Sequence, residues 1–294
     1  MSAVTPLTEH VLRGMAPPRP EGDSKDGRGC VLVVAGCTAL PGAVLLGANA
    51  ALRVGAGKLQ IGVCRDLAIP IGIAVPEALV VGLAQTEGGG IGRACADDLA
   101  ERAGACAAIL SGPGMSEDAD TEAVVSALVR GGQRAAFVLD AGALAALRAD
   151  PNLTRRLARP AIITPHAGEM AKLLDMDREA VEADPLAAAH RATERFGTVT
   201  VMKGGRTQVV SPDGRAWCYE MGHVGLAISG SGDTLAGLSV GLLARGAEPE
   251  AAALWGVYAH GEAGRRLAHR YGGIGFLARE IPAEVPSILA EVML

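Results

Sequence analysis

The sequence lacks the glycine fingerprints of the two commonest nucleotide-binding folds. No GxGxxG motif follows the first predicted strand, where residues 36–42 read Gly-Cys-Thr-Ala-Leu-Pro-Gly, and no GxxxxGK[ST] motif occurs. The first absence disfavours a Rossmann dehydrogenase, and the second excludes an ordinary P-loop enzyme. The six cysteines never form a CxxC pair. We therefore interpret them as buried free thiols of a reducing compartment rather than as disulfides or a metal site.

Charge is also scarce. Charged residues make up 20% of the chain, the net charge is −5 and the pI is about 5.7, which argues against a nucleic-acid partner. The apolar stretch 67–84 is interrupted by Pro70, Pro76 and Glu77, so we assign it to the core and expect no membrane contact. The N-terminus lacks a basic region followed by an apolar segment. We expect no secretory signal and a cytoplasmic protein.

The hydrophobic pattern predicts a single α/β domain. The chain has 294 residues, of which 49% are hydrophobic, and it contains no internal repeat or long linker, so one domain over residues 1–294 is expected, with residues 1–25 as an N-terminal extension. Short apolar strands alternate with helical segments, which predicts a mostly parallel sheet covered on both faces. The predicted strands are 31–36, 58–63, 107–110, 136–139, 161–164 and 199–202. Residues 207–219 predict a hairpin that turns at 211–214 and forms an antiparallel edge.

Residues 229–237, Ser-Gly-Ser-Gly-Asp-Thr-Leu-Ala-Gly, form the most informative segment. A glycine-rich turn leads into a helix predicted from Thr234 to Leu243, whose free N–H groups and positive dipole end would bind an anion. Asp233 at this point has two possible roles. It is either a helix-terminal acid stabilised by the dipole, or a general base that removes a proton from a substrate hydroxyl.

Ten segments of the chain, taken in order, resemble the NAD(P)H-hydrate dehydratase family, which has a ribokinase-like fold. They are Lys25, 31–36, Gly42-Ala43, 51–57, 76–78, 112–114, Asp140-Ala141, 164–169, 203–207 and 230–233. The resemblance implies a three-layer α/β/α sandwich with a mostly parallel central sheet. Almost the whole chain takes part in it.

The resemblance also implies a reaction. The substrate would be the S epimer of hydrated NADH or NADPH, and ADP or ATP would donate a phosphoryl group in the presence of Mg²⁺. Hydroxide is a poor leaving group, so phosphorylating the ring hydroxyl allows the ring nitrogen to expel phosphate. This chemistry explains why a lyase would use the fold of a kinase.

Family members supply a role for each motif residue. Asp233 is expected to be the base, and the backbone amides of Gly230, Ser231 and Gly232 the anion hole. The residues expected to bind the donor nucleotide are Lys203, Gly204, Gly205, Arg206, Thr207 and Gly232. The residues expected to contact the hydrated cofactor are Ala43, Gly114, His166 and Asp233. Glu169 is expected to help hold Mg²⁺ through water.

Structural alternatives stay open for these assignments. Residues 203–205 could simply be a tight turn into the hairpin. His166 could cap a helix or pack, and Glu169 could be a first-turn acid favoured by the helix dipole. Ala43 and Gly114 could be small only because a helix packs closely on a strand.

Three positions depart from the family pattern. Gly142 stands where a second aspartate is usual, and His223 lies in a loop, 222–226, that usually contains Asn-Pro-Gly-Met. Residues 36–41 replace a common Gly-Gly-Ser…Tyr-Thr pattern. If the second carboxylate binds a ligand or an ion, its loss would weaken activity or change specificity.

The resemblance further implies an organisation. We expect a stand-alone dehydratase that relies on a separate epimerase, and a homo-oligomer with a tetramer favoured. Two rival functions remain at the sequence level. One is a ribokinase-fold kinase of a small alcohol such as hydroxyethylthiazole or hydroxymethylpyrimidine, and the other is a non-catalytic nucleotide-binding sensor. The segments 164–166 and 51–57 favour the dehydratase.

Overall fold

The computed structural model of the chain describes residues 4–18 and 24–293. The predicted N-terminal extension, residues 1–25, therefore falls partly on residues 1–3 and 19–23, outside the described ranges. Its described part packs onto the domain, because Thr5–Pro6 pairs with the sheet and Leu12 is fully buried in the core.

A sheet of ten strands forms the centre of the molecule. The strands are β1 (Thr5–Pro6), β2 (Cys30–Val34), β3 (Lys58–Cys64), β4 (Ala78–Leu83), β5 (Ala108–Ser111), β6 (Ala136–Leu139), β7 (Ile162–Ile163), β8 (Val199–Met202), β9 (Thr207–Val210) and β10 (Ala216–Tyr219). Their order across the sheet is β1-β10-β9-β8-β7-β6-β5-β2-β3-β4. The seven strands from β8 to β4 run parallel, whereas β9 is antiparallel to both β8 and β10.

Twelve α-helices are described. They are α1 (Glu9–Arg13), α2 (Gly42–Arg53), α3 (Ala68–Ala74), α4 (Ala96–Gly104), α5 (Ala119–Gly131), α6 (Ala145–Ala149), α7 (Ala167–Leu174), α8 (Arg178–Ala183), α9 (Pro185–Phe196), α10 (Ser231–Ala244), α11 (Pro249–Tyr271) and α12 (Ile281–Met293). None of the helices in the described ranges is long and apolar enough to cross a membrane.

The strands alternate their side chains between two cores. In β2, Val31 and Val33 face the core formed with α1, α2, α3, α10, α11 and α12, whereas Leu32 and Val34 face the core formed with α4 to α9. A strand buried on both faces is apolar at every position, which is why the parallel strands appear in the sequence as short continuous runs. The α/β three-layer prediction is confirmed.

Two predictions about the sheet need correction or completion. The hairpin of β9 and β10 is present, but β10 is not the edge, because Thr5 and Pro6 pair with Trp217 and Cys218 in parallel. The prediction that the stretch 67–84 is core is wrong: it contains α3 and the edge strand β4, which pairs with β3 on one side, and most of its side chains are exposed or partly exposed.

Candidate active site

The candidate site lies where three neighbouring parallel strands end. Asp140 follows β6, Thr164 to His166 follow β7, and Lys203 follows β8. The Lys203 amide donates to the Pro165 carbonyl at 2.9 Å, and His166 and Lys203 form an isolated parallel bridge, so the pairing of β7 and β8 extends into the site. The carboxyl edge of a parallel sheet is the usual ligand-binding edge of such folds.

The glycine-rich turn meets this edge at the start of α10. Gly230 has φ +88°, and a Cβ there would lie 2.3 Å from Leu46 Cδ1, so both backbone and space require glycine. The helix begins at Ser231 and carries Asp233 in its first turn. Its N-terminal amides therefore point toward the strand ends, as the anion-site prediction requires.

Lys203 and Asp140 form the charged centre of the site. Lys203 Nζ donates to Asp140 Oδ1 at 2.8 Å, and the same oxygen accepts from Thr164 Oγ1 at 2.7 Å. The Asp140 side chain is 2% exposed and that of Lys203 is 19% exposed. Burial acts to lower the pKa of Lys203, but the charges of Asp140, Glu169 and Asp233 outweigh it and raise that pKa above its usual value. Lys203 thus stays protonated and positively charged beside the glycine-rich turn of residues 230–232, which we call the anion turn.

Asp233 titrates much closer to neutrality than an ordinary aspartate. Burial, together with the negative charges of Asp140 and Glu169, raises its pKa from 3.8 to about 6, and Lys203 partly opposes this shift. A carboxylate with a pKa near the working pH combines basicity with a largely ionised state, which suits a general base. The environment of Asp233 is consistent with the catalytic hypothesis.

His166 and Glu169 form a reciprocal helix cap. The Gly168 and Glu169 amides donate to His166 Nδ1 at 3.0 and 3.2 Å, and the His166 amide donates to Glu169 Oε2 at 2.8 Å. This capping box begins α7, so the structural alternatives for both residues are present. Glu169 Oε2 also lies 3.7 Å from Lys203 Nζ, which connects the cap to the charged centre.

A cavity of about 660 Å³ opens beside these residues. Its walls include six of the residues predicted to bind ligands and a seventh from the anion turn: His166, Lys203, Gly204, Gly205, Thr207, Gly232 and Ser231. A Cβ on Gly232 would come within 3.2 Å of Lys203 Nζ, so the turn and the lysine nearly touch at the cavity wall. Asp233, the predicted base, does not line this wall, although its neighbour Gly232 does.

Three predicted site residues lie elsewhere. Arg206 points to the surface, where it forms an ion pair with Glu220 rather than lining the cavity. Ala43 and Gly114 contact each other, since a Cβ on Gly114 would lie 2.9 Å from Ala43 Cβ. Their packing alternative is therefore present, and neither residue lines the cavity.

His260 is a site residue that the sequence analysis did not select. It belongs to α11, lines the cavity, and its Nε2 lies 2.9 Å from Ser231 Oγ and 3.0 Å from the Ser231 carbonyl oxygen. Burial lowers the pKa of His260 to about 4, a shift that the hydrogen bond to the Ser231 backbone opposes and the Lys203 charge reinforces. A neutral histidine thus holds Ser231, the first residue of α10. No sequence motif marked it, because only the packing of α11 on α10 brings it there.

The structure accounts for two of the departures from the family pattern. A Cβ on Gly142 would lie 2.4 Å from the Met115 carbonyl oxygen, so this backbone has no space for an aspartate. His223 lines the cavity, and its Nδ1 accepts from the Gly225 amide at 3.0 Å. The histidine therefore caps the turn 224–226 beside the cavity.

The carboxylates of the site could supply only some of the ligands that Mg²⁺ needs. No group of three or more His, Cys, Asp or Glu side chains within residues 4–18 and 24–293 is arranged to hold a metal ion. Mg²⁺ commonly keeps several waters and binds one or two carboxylates plus substrate phosphates. Glu169 fits that smaller demand, since it is a carboxylate whose Oε2 lies 3.7 Å from Lys203 Nζ at the charged centre.

Comparison with known proteins points to the same family as the sequence motifs do. A family model described as NAD(P)H-hydrate dehydratase matches residues 31–287. An ADP-dependent (S)-NAD(P)H-hydrate dehydratase of Xanthomonas campestris pv. campestris is 46% identical over 286 residues, which cover 97% of this chain and 96% of that protein. Bifunctional NAD(P)H-hydrate repair enzymes also match, and the chain spans about half of their length.

Two solved structures share the fold over nearly the full chain. A Bacillus subtilis ADP/ATP-dependent NAD(P)H-hydrate dehydratase, co-crystallised with ATP and Mg²⁺, has a TM-score of 0.83 at 29% identity and covers 99% of this chain and 100% of its own. A ribokinase-like superfamily protein of Enterococcus faecalis has a TM-score of 0.82 at 25% identity and covers 98% of this chain and 96% of its own. The ribokinase-like prediction is confirmed.

Proposed function

The chain belongs to the NAD(P)H-hydrate dehydratase family, and from this premise we propose that it repairs damaged nicotinamide cofactors. It dehydrates the S epimer of hydrated NADH or NADPH and uses ADP as phosphoryl donor, which becomes AMP and phosphate. The proposal rests chiefly on one observation. A buried cation, Lys203, and a base with a pKa of about 6, Asp233, flank the same glycine-rich helix N-terminus at the edge of a large cavity.

The donor nucleotide would occupy the cavity. Gly204, Gly205 and Thr207 line it from the turn between β8 and β9, and Tyr219 and Leu235 add apolar wall. A volume of about 660 Å³ falls in the range of small-molecule sites, which is roughly 300–1,000 Å³. The terminal phosphate of ADP would then lie between Lys203 and the start of α10.

The chemistry would proceed in two stages. Asp233 takes the proton of the ring hydroxyl while that oxygen attacks the β-phosphorus of ADP, and the bond to AMP breaks. The turn amides and the Lys203 ammonium stabilise the charge on the transferring group. The ring nitrogen's lone pair then expels phosphate, and loss of a proton from the adjacent ring carbon restores the dihydronicotinamide.

Magnesium would act on the donor rather than on the protein fold. Glu169 is the residue that would hold it, through water and together with the nucleotide phosphates. The ion would neutralise charge on the phosphates of ADP. Lys203 supplies a fixed positive charge at the same place, so part of that neutralisation belongs to the chain itself.

The decisive experiment mixes purified protein, Mg²⁺ and hydrated NADH with ADP or, separately, ATP. We expect the absorbance of reduced nicotinamide to recover with ADP and AMP to form in equal amount. The same assay with hydrated NADPH gives the cofactor preference. No recovery with either nucleotide, despite measurable nucleotide binding, would contradict the proposal. Nucleotide turnover with another small alcohol would then indicate a kinase, and binding without any turnover a sensor.

The cellular setting is part of the same proposal. We propose a cytoplasmic enzyme, which the six spaced cysteines without a CxxC pair favour. We also propose that it works beside an NAD(P)H-hydrate epimerase that supplies the S form from the R form. The bifunctional repair enzymes among its relatives support that link.

A homo-oligomer, with a tetramer favoured, completes the proposal. Ile69 and Ile73 on α3 are 76% and 77% exposed, and Leu79 on the adjoining edge strand β4 is 58% exposed. Such an apolar group at a sheet edge is typical of a protein contact surface. We expect sedimentation to report an assembly larger than a monomer, and Ile69→Asp with Ile73→Asp to reduce its mass. An unchanged mass in that double variant would place the contact elsewhere.

A further inference from the structure

Two cysteines meet at the amino ends of two central parallel strands, the end of the sheet opposite the active site. Cys30 begins β2, and Cys106 lies two residues before β5, the strand that runs parallel beside β2. Their Sγ atoms are 3.2 Å apart. We propose that Cys30 and Cys106 are a peroxide-sensitive dithiol that closes reversibly to a disulfide.

The geometry of the pair is close to that of the bonded form. Both side chains face the core formed with α4 and α5, so neither strand needs to rotate for the sulfurs to meet. A disulfide has an S–S length of about 2.05 Å, so an approach of roughly 1 Å completes the bond. Among the described residues, no other two cysteine sulfurs lie within hydrogen-bond distance of one another.

The surroundings of the two thiols make them chemically unequal. The hydrogen bond from Cys106 lowers the pKa of Cys30 to about 7. Gln60 and Lys58 also lower this pKa, whereas burial and Asp26 act to raise it. The same hydrogen bond and burial raise the pKa of Cys106 well above its usual value. Cys30 is only partly buried, whereas Cys106 is buried. Cys30 is therefore the nucleophile, and Cys106 is the resolving thiol.

The reaction needs hydrogen peroxide as oxidant. Cys30 ionises, and its thiolate attacks one peroxide oxygen so that the O–O bond breaks and Cys30 becomes a sulfenic acid. The hydroxide that leaves takes up the proton lost by the thiol and becomes water. Cys106 sulfur then attacks Cys30 sulfur, its proton leaves with the sulfenic hydroxyl as a second water, and the S–S bond forms. Two thiols are oxidised by two electrons, and one peroxide is reduced to two waters.

Access to the pair is available from the surface. Cys30, the thiol that meets peroxide, is itself partly exposed, and a depression of about 340 Å³ lined by Arg130 and Arg134 borders its partner Cys106. The other four cysteines, Cys37, Cys64, Cys95 and Cys218, are buried. Burial raises the pKa of Cys95 to about 11, which makes it a matched control thiol. Peroxide should therefore select Cys30 over Cys95.

The test treats the full-length, reduced protein with hydrogen peroxide at neutral pH and maps cysteine-containing peptides by mass spectrometry. We expect a peptide joining Cys30 to Cys106, formed at least roughly tenfold faster than Cys95 is oxidised, and cleaved by dithiothreitol. In Cys106→Ser, we expect a sulfenic acid on Cys30 that dimedone traps. Cys95→Ser should behave as the unaltered chain does.

Two results would overturn the proposal. One is loss of Cys30 and Cys95 thiols at equal rates without a joined peptide. The other is a sulfenic acid on Cys106 that dimedone traps in Cys30→Ser as fast as Cys30 is trapped in Cys106→Ser, which would assign the reactive thiol to Cys106. Circular dichroism of each serine variant verifies that it folds, and the unaltered chain alone already decides whether the joined peptide forms.

Discussion

Asp233→Asn tests the base and its pKa at once. General-base removal typically costs about 10²–10⁴-fold in rate, so kcat should fall by that factor. ADP binding should be kept or tightened, because a negative charge near the phosphate site is lost. In the unaltered enzyme, a base with pKa about 6 is roughly ten times more ionised at pH 7 than at pH 5. The rate should rise about tenfold over that interval, and the residual rate of the variant should not.

The same substitution has an opposite effect on stability. Asp233 has a folded-state pKa raised from 3.8 to about 6, so its charge destabilises the folded state fully above pH 6 and the penalty disappears as the pH falls below 4. The shift corresponds to about 3 kcal/mol, or roughly 5 °C in Tm for a chain of this length. Asp233→Asn should therefore melt higher at pH 7.5 and equally at pH 4.

Two assays check this reasoning. Recovery of reduced-nicotinamide absorbance gives the pH–rate profile, and ligand-free thermal melts at the two pH values give the stability difference. Asp140→Asn is the matched control, because removing that charge lowers the pKa of Asp233 and should move the acid limb below pH 6. Near-normal turnover in Asp233→Asn would refute its role as base. A lower Tm at pH 7.5 would refute the raised pKa.

Three further outcomes are expected. Lys203→Met should raise the KM for ADP at least about tenfold in steady-state kinetics. It should also lower the free energy of unfolding by about 3–5 kcal/mol in denaturant unfolding, because the buried Asp140 charge loses its partner. The pKa of His260 is about 4 in the folded state and 6.5 in the unfolded state, so buried neutral His260 destabilises the fold as the pH falls from 6.5 to 4. His260→Gln should therefore reduce the loss of Tm over that pH range, and it should raise the KM for ADP. Gly142→Asp should lower the Tm by several degrees instead of improving activity, because a backbone oxygen lies 2.4 Å from the new Cβ. Gly42→Ala, with no atom within 4 Å of its Cβ, is the control, and an equal Tm in the two variants would contradict the packing argument.

The central parallel strands could be predicted well from the sequence, whereas the edge strands could not. Strands buried on both faces are unbroken apolar runs, so β2, β3 and β5 to β8 appeared close to their actual bounds. β4 was missed because Pro76 and Glu77 interrupt the run that contains it. β1 was missed because two residues carry no periodicity, and this is also why β10 was predicted to be an edge.

The sequence predicted the local backbone of the candidate site, while the roles of its residues stay predictions. Gly230 to Asp233 and Lys203 to Gly205 were found because turns and helix starts leave a pattern in neighbouring residues. His260 could not be found, since it meets Ser231 across 29 residues of chain. Arg206 was assigned by its position in a motif, but its side chain leaves the cavity for Glu220. Side-chain direction after a turn is decided by tertiary contacts.

The dense burial of α10 has a consequence for how this segment can vary in evolution. Twelve of its residues are buried, and Cβ atoms on Gly237 and Gly241 would lie 2.3 Å from Gly47 and Val54 atoms. Small residues along this helix are therefore constrained by volume alone, whether or not the protein is catalytic. Invariance of those two glycines among relatives would report on helix packing, whereas variation at Gly232 and Asp233, which are only partly buried, would report on chemistry.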